Sequence, residues 1–391
     1  MPPLRSTRSS LVSLALAAAS LPLASAPLAA QEQPLNQFAP AADRQDHKID
    51  YSYFDEALRW FVIPMGPSLR EAPPRREPRT GTRRIQGHES RYRLEGNRIA
   101  FAFFTDDTRA SLTEYRRDLE RVGTELGIAR LPRNEQLAFW LNLHNVAVIE
   151  ALAKEYPLSR PSKEEFGSNK APLDDAKLVT VSGVELSPRD IRERIVYPNW
   201  SDPKVIYGFW RGEIGGPTLQ RLAFNGENVN WLLSASATEF INSLRGVQNY
   251  GGSLRVSELY KESAPFHFAD DAALREHLTE YAGDDVKALL SKYDKVAYAK
   301  DYELDLADMS RGEAFAVIDD LRTIEFTLGG PLQRQGESLP PNIPVSFRKN
   351  WGTQEIWKER QQKINRAIRR GVPLGTVIIA GDDGEASREV E

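Results

Sequence analysis

The sequence is organised around one long apolar stretch: residues 131–155 read LPRNEQLAFWLNLHNVAVIEALAKE. Helix-forming residues dominate this stretch, and apolar side chains fall on nearly all sides of a helical wheel. A helix that is apolar all round lies inside a core rather than on a surface. Pro132 stands near its start and Pro157 follows its end, at positions where a helix tolerates proline. We therefore predict one buried central helix over about residues 132–155.

Two asparagines interrupt the apolar surface of this helix. Asn142 and Asn145 are three residues apart and therefore share a face. A buried amide group without partners costs about 1–3 kcal/mol, so both side chains need hydrogen bonds. In one interpretation each amide ties down a neighbouring loop, such as the glycine-rich turn at residues 212–217. In the other, the two amides line a cleft and donate to a ligand carbonyl, as an oxyanion site does. The structural role is favoured, and the ligand-binding role stays open.

Two further side chains are candidates for acid–base catalysis. His144 lies in the same motif, and histidine titrates near neutral pH. Glu213 lies in the turn Gly212–Pro217. This turn lacks the Lys-Ser/Thr pair of a phosphate-binding loop, so its glycines indicate a tight turn or a close backbone approach. Both candidates also have a structural explanation, as a histidine that keeps one hydrogen bond and as an ordinary turn residue.

The rest of the sequence mixes helices with short strands. Two β-rich runs flank Ser182-Gly183 and predict a hairpin over residues 177–186. Alternation at residues 301–306 predicts an amphipathic strand with a solvated acidic face. No strand–helix–strand repeat is present, so the fold class is α+β, helix-rich with a small mixed or antiparallel sheet. Further helices are predicted at residues 49–63, 111–127, 187–196, 227–244, 271–281, 285–293 and 353–371, and further strands at 98–104, 204–210 and 376–380.

Composition excludes several classes of protein. The 391 residues include no cysteine, which rules out disulfides, thiolate nucleophiles and thiolate zinc sites. The net charge of −4 argues against a globally basic protein that binds nucleic acid specifically. No metal-ligand spacing or cofactor-binding motif is recognised, so neither a metal nor a cofactor is expected.

The first 30 residues have the order of a secretory signal. Arg5 and Arg8 form a basic start, an apolar run extends from Leu11 to about Ala19, and small residues lead to Ala30. The apolar run is too short to span a membrane, and no later segment resembles a transmembrane span. We expect cleavage after Ala30 and a periplasmic or secreted product.

The mature chain divides further by composition. The predicted parts are a flexible leader (31–48), an N-terminal region (49–130), a core (131–245), a C-terminal extension (246–380) and a disordered acidic tail (381–391). Within the N-terminal region, prolines and arginines predict an exposed loop over residues 69–84. Its arginines either make weak contacts with a polyanion or pair with the acidic excess elsewhere, and pairing is favoured. The arginines concerned are Arg75, Arg76, Arg79, Arg83 and Arg84.

Residues from about 131 to 245 carry a series of family motifs. The series comprises Asn134-Glu135, Ala138 to Asn145, Tyr156-Pro157, Val184 to Ser187, Asp202-Pro203-Lys204, Gly215 to Leu219 and Phe240 to Ser243. In this order they resemble the bacterial and plant family called domain of unknown function 547, or DUF547. The Asn-x-x-Asn helix is the most specific of these motifs, and the family itself has no agreed activity.

The chain departs from this family where chemistry would be expected. Many members carry a cysteine before the proline that matches Pro217, where this chain has Gly216. Many also carry a histidine at the position aligned to Ile206, and His144 replaces the tyrosine of the asparagine motif. The cysteine and histidine look like the thiol and base of a papain-like hydrolase. The resemblance therefore implies that a thiol mechanism is closed to this chain.

Two hypotheses from different functional classes follow. The leading one is an exported, non-catalytic protein that binds a small molecule, a peptide or a protein in a cleft between the central helix and the glycine-rich turn. The residues expected to line that cleft are Asn142, Asn145, Gly215, Gly216 and Pro217. The alternative is a thiol-independent hydrolase or transferase, which would use Asn142, Asn145, His144 and Glu213. A third possibility is an interaction scaffold that acts through the arginine-rich loop.

Overall fold

The computed structural model describes residues 35–43, 45–78, 85, 87–298, 303–313, 351–374 and 390. About half of the chain is helical, and the sheets have two or three strands each, which confirms the prediction of a helix-rich α+β fold. The α-helices in the described residues are α1 (Ser52–Phe61), α2 (Asp106–Glu125), α3 (Arg133–Glu155), α4 (Tyr197–Asn199), α5 (Val229–Ile241), α6 (Glu258–His267), α7 (Asp271–Tyr281), α8 (Asp284–Lys292) and α9 (Trp351–Arg369). The strands are β1 (Val62–Pro64), β2 (Asn97–Ile99), β3 (Val179–Val181), β4 (Val184–Leu186), β5 (Val247–Tyr250), β6 (Ser253–Val256) and β7 (Val296–Tyr298).

Helix α3 is the predicted central helix, and every residue from Asn134 to Ala153 is buried. It begins directly after Pro132 and ends before Pro157, as the bracketing prolines predict. Helix α2 packs against α3 at close range, because a Cβ atom at Gly123 would lie only 2.5 Å from the Phe139 ring. The core of the fold is therefore built around α3.

The sheets are small and mostly antiparallel. Strands β1 and β2 pair Val62 with Ile99, and β3 and β4 form the predicted hairpin. Ser182 and Gly183 both have positive φ at its turn, the backbone that a two-residue hairpin requires. Strand β6 pairs antiparallel with β5 and parallel with β7, so this third sheet is mixed.

Three of the predicted strands differ from the structure. Residues Pro203–Gly208 form a 3₁₀ helix instead of a strand, because Asp202 caps the backbone N–H of Lys204 and Pro203 opens the turn. The strand predicted at residues 98–104 is only β2, followed by a 3₁₀ turn. The predicted solvated acidic face is wrong for Asp305, which is buried and forms ion pairs with Arg160 and Arg311.

Several predicted segments lie wholly or partly outside the described residues. They are the signal sequence, the arginines at positions 79, 83 and 84, the strand at 376–380 and most of the acidic tail.

In the predicted leader, Phe38 is buried and its ring contacts Trp140 edge-on. In the predicted tail, the buried Val390 donates its backbone N–H to Asn134 Oδ1. Within the described part of the chain, no helix combines the length and the hydropathy needed to span a bilayer.

Candidate functional site

The two asparagines of α3 bind backbone on both sides of the glycine-rich turn. Asn142 Nδ2 donates to the carbonyl of Phe224 at 2.7 Å, and Asn142 Oδ1 accepts the N–H of the same residue at 3.0 Å. Asn145 Nδ2 donates to the carbonyl of Gly208 at 3.0 Å, and its Oδ1 accepts the N–H of Trp210 at 2.9 Å. Both side chains are fully buried. Their contacts are therefore those of the structural role, in which each amide ties down a neighbouring segment.

Close packing explains why the chain can approach α3 at these points. A Cβ atom at Gly208 would lie 2.6 Å from Leu141 and 2.9 Å from Leu233. Only a residue without a side chain lets this backbone come within hydrogen-bonding distance of Asn145.

The glycine-rich turn is covered by a segment from the C-terminal part of the chain. The N–H groups of Ile214 and Gly215 donate to the carbonyls of Asp305 and Glu303, each at 2.9 Å. In return, Ala307 donates its N–H to the carbonyl of Gly212 at 2.7 Å. We call residues 303–308 the covering segment. Its backbone occupies the N–H groups of Ile214 and Gly215 and the carbonyl of Gly212.

The predicted ligand-binding residues of the turn are themselves buried. Gly215, Gly216 and Pro217 have little exposed surface, and Arg245 Nη1 donates to the carbonyl of Gly216 at 2.8 Å. No hydrogen bond within the described residues joins either asparagine side chain to these three residues. The structure thus places the amides and the turn in one packed region but does not bring them together around an open cleft.

His144 is sealed in the core. Its Nδ1 lies 3.1 Å from Asn145 Oδ1, which is an acceptor because it also receives the Trp210 N–H. Its Nε2 faces Arg192 Nη1 at 3.4 Å, so hydrogen-bond chemistry assigns a neutral ring with the proton on Nδ1. Burial and the neighbouring Arg192 lower the pKa of His144 to about 3. A neutral ring without solvent contact does not suit a general base for an incoming substrate.

The remaining catalytic candidates do not join His144. Glu213 is half-buried in the turn, where its carbonyl accepts the N–H of Gly216. Its backbone also bridges Leu306 of the covering segment. Ile206, at the position aligned to the family histidine, is fully buried.

A network of charged side chains lies next to His144, and sequence reasoning missed it. Arg192 is fully buried and donates to both carboxylate oxygens of Asp174, at 2.7 and 2.6 Å. Arg211 binds Glu262 in the same two-pronged way, and Glu262 also lies 3.3 Å from Arg192. Burial alone would raise the pKa of Glu262, but Arg211 and Arg192 outweigh it and hold that pKa at about 2. Arg192 and Arg211 therefore each have a carboxylate partner, and Asp174 also lies 3.3 Å from Arg189.

The signal for this network in the sequence is faint. Arg192 lies between Ile191 and Ile195 on the buried side of a helix with π-type hydrogen bonding, Asp190–Val196. A charged residue among buried aliphatic ones must be paired, but its partners Asp174 and Glu262 are 18 and 70 residues away.

The arginine-rich loop is described only in part. Arg75 is exposed, whereas Arg76 pairs with Glu359 of α9 at 3.0 Å. Arg70, at its start, donates to the carbonyls of Asn242 and Val247. Contact of this loop with a polyanion stays a prediction.

A groove opens on the surface between α1 and the start of α2. Its volume is about 470 Å³, and we call it the α1–α2 groove. Tyr53 and Trp60 contribute aromatic surface, and Glu56 and Asp107 contribute carboxylates. The remaining lining residues are Ala57, Phe61, Thr108, Ser111 and Leu112. The sequence carries a signal for it: Tyr53, Ala57 and Trp60 form a second apolar stripe beside the buried stripe Phe54, Leu58 and Phe61.

Comparison with known proteins agrees with the motifs of the central segment. Residues 128–241 match the family model described as "Protein of unknown function, DUF547". No curated protein and no solved structure matches the chain. The matched residues include α3, the β3–β4 hairpin, the glycine-rich turn and α5, whereas Arg245, Glu262 and the covering segment lie beyond them. The chain therefore contains a DUF547 domain at residues 128–241.

Proposed function

We propose that this protein is an exported, non-catalytic binding protein in which the DUF547 domain forms a closed framework. One observation carries this proposal: the region where the family resemblance implies a thiol and a base is filled by the chain itself. Gly216 and Ile206 stand at those two positions and are buried. The polar side chains nearby, Asn145 and His144, are bonded within the chain. Such an arrangement supports packing rather than substrate access.

The proposal places ligand binding outside the closed region. Small-molecule sites are concave and combine apolar walls with a few polar groups, and their volumes range from about 300 to 1,000 Å³. The α1–α2 groove has these properties. It is the site that we assign to ligand binding.

A search for turnover tests the non-catalytic part of the proposal. The mature chain, residues 31–391, is incubated with chromogenic ester, peptide and glycoside substrates. We expect no turnover above that of buffer. Reproducible turnover that disappears in Glu213→Gln would contradict the proposal and restore the hydrolase or transferase hypothesis.

Export is part of the proposal and has its own test. Residues 1–40 are fused to a reporter enzyme that lacks a signal and is active only outside the cytoplasm of a Gram-negative host. We expect reporter activity, and a mass spectrum in which the processed fusion begins at Gln31. Leu14→Arg, which interrupts the apolar run, should abolish both results. Equal reporter activity for the two fusions would rule out a signal at residues 1–30.

A further inference from the structure

We propose that the α1–α2 groove binds a small organic cation with a substituted ammonium group. This inference rests on the proposed function and names its ligand class. It starts from the chemistry of the lining residues, which include two carboxylates and no lysine, arginine or histidine. An occupant that complements this surface carries positive charge on an apolar body.

The aromatic side chains are placed to receive such a cation. A cation over the face of a tryptophan or tyrosine is attracted by the negative face of the ring, and a ring beside a carboxylate adds to this attraction. Tyr53 is 55% exposed although it lines a groove, and Trp60, which also lines the groove, is half-buried. The surfaces of both rings are thus available where the carboxylates of Glu56 and Asp107 converge on the same groove.

Inner rings hold these aromatic side chains in position. The Tyr53 ring packs against Tyr115 with ring centroids 5.7 Å apart, and the Trp60 ring packs against Phe104 with centroids 6.2 Å apart. A site whose side chains are already ordered loses less entropy when a ligand binds. The groove is therefore arranged before the ligand arrives.

The backbone keeps the two walls together. Helix α1 leads directly into β1, and the chain that leaves β2 reaches α2 through one 3₁₀ turn. Because β1 and β2 are paired, the end of α1 and the beginning of α2 lie side by side. The two carboxylates have no ion-pair partner within the described residues, whereas the neighbouring Asp106 pairs with Arg109.

The test compares choline with 3,3-dimethylbutan-1-ol, its uncharged carbon isostere, by ligand-detected NMR titration of the full mature chain. We expect choline to bind at least about fivefold more tightly, since the two probes differ in charge but hardly in shape. Glu56→Gln and Asp107→Asn should each weaken choline binding about three- to tenfold and leave the isostere unaffected. Trp60→Leu should weaken choline binding further.

Asp106→Asn is the matched control, because Asp106 is an exposed neighbour of Asp107 that does not line the groove. Choline affinity should be unchanged in this variant. Equal affinity for the two probes, equal loss in Asp106→Asn, or saturable binding of a neutral disaccharide without choline binding would each overturn the cation assignment. None of these results involves turnover, so each would leave the proposed non-catalytic function in place. Turnover of an ester, peptide or glycoside substrate would overturn the non-catalytic function whether or not choline binds.

Discussion

The side chain of Asn145 holds three groups at the centre of the molecule: the carbonyl of Gly208, the N–H of Trp210 and the ring of His144. Its oxygen accepts twice and its nitrogen donates once, so little hydrogen-bonding capacity is left for a ligand. Asn142 forms the equivalent pair of bonds with Phe224. At this scale the two asparagines serve as connectors between α3 and the chain that runs before and after the glycine-rich turn.

Truncation of either asparagine should destabilise the fold. Asn145→Ala and Asn142→Ala each leave two buried backbone groups without partners, at about 1–3 kcal/mol per group. We expect the free energy of unfolding from urea denaturation to fall by about 2–5 kcal/mol in each variant. Asn169→Ala is the matched control: Asn169 also bonds one backbone carbonyl and one backbone N–H, but it is exposed. The control should lose less than about 1 kcal/mol, and stable Asn142 and Asn145 variants would contradict the structural role.

Buried histidines should make stability depend on pH. Burial lowers the pKa of His277 from its ordinary 6.5 to about 4. The unfolded chain therefore binds more protons between these values, so the contribution of His277 is complete above pH 6.5 and is lost as pH falls towards 4. The slope is about 1.4 kcal/mol per pH unit for one such group. His144, with its pKa of about 3, acts in the same direction.

The change to test is His277→Gln, which keeps a polar group near the Tyr207 hydroxyl but cannot titrate. Between pH 6 and pH 5, the loss of unfolding free energy should be smaller in this variant than in the wild-type protein by about 1 kcal/mol. Ser263→Ala removes a buried hydroxyl that does not titrate, so it should lower stability without altering the slope. If the unfolding free energy of His277→Gln changed with pH as steeply as that of the wild-type protein, His277 would not be the source of the pH dependence.

At the scale of elements, the sequence predicted best the helices and strands whose residue pattern is long and local. The central helix follows from its apolar residues and its prolines, and the β3–β4 hairpin follows from Ser182-Gly183. The segment at 204–210 carries apolar residues typical of a strand, yet the cap by Asp202 and the contacts of Gly208 with α3 make it a 3₁₀ helix. Asp305 is buried because its partners Arg160 and Arg311 neutralise it, and Arg160 lies 145 residues away in the sequence. Distant pairing of this kind leaves no periodic signal, which is also why the Arg192 network was missed.

A substitution at Gly312, which follows the covering segment in the chain, should release that segment from the glycine-rich turn. Gly312 has a φ of +68°, and a Cβ atom there would lie 1.7 Å from the carbonyl oxygen of Leu158. Gly312→Ala must therefore displace the local backbone. We expect hydrogen exchange of the Ile214 and Gly215 amides, which donate to the covering segment, to accelerate at least about tenfold.

Gly252→Ala is the control in this experiment, because it introduces backbone strain without a steric clash. Gly252 also has a positive φ, +73°, but nothing lies within 4 Å of its Cβ position. Its substitution should leave exchange at Ile214 and Gly215 unchanged. Slow exchange of both amides in Gly312→Ala would mean that the turn is protected without the covering segment.

At the scale of the whole molecule, helix α9 of the C-terminal part binds the N-terminal region. Arg360 of α9 donates to the carbonyl of Pro64, and Lys363 donates to those of Gly66 and Leu94. Glu359 binds the buried Arg93 with both oxygens, at 2.8 Å each. The described residues from Leu35 onwards belong to one compact unit. Whether the C-terminal third forms its own domain was left open by its sequence, because helices joined by polar linkers suit either arrangement.

These contacts predict cooperative unfolding of residues 31–391. Residues 31–391 should lose far-ultraviolet circular dichroism and tryptophan fluorescence at the same urea concentration, as in a two-state transition. Residues 128–241 alone should be largely unfolded, because the turn loses its bonds to Asp305, Glu303 and Arg245, and Arg192 loses Glu262. Removing one partner of a buried ion pair typically costs about 3–5 kcal/mol, a large share of the stability of a domain. Two separate transitions in residues 31–391, or a stable isolated segment 128–241, would instead make the DUF547 domain an independent folding unit to which the rest of the protein is attached.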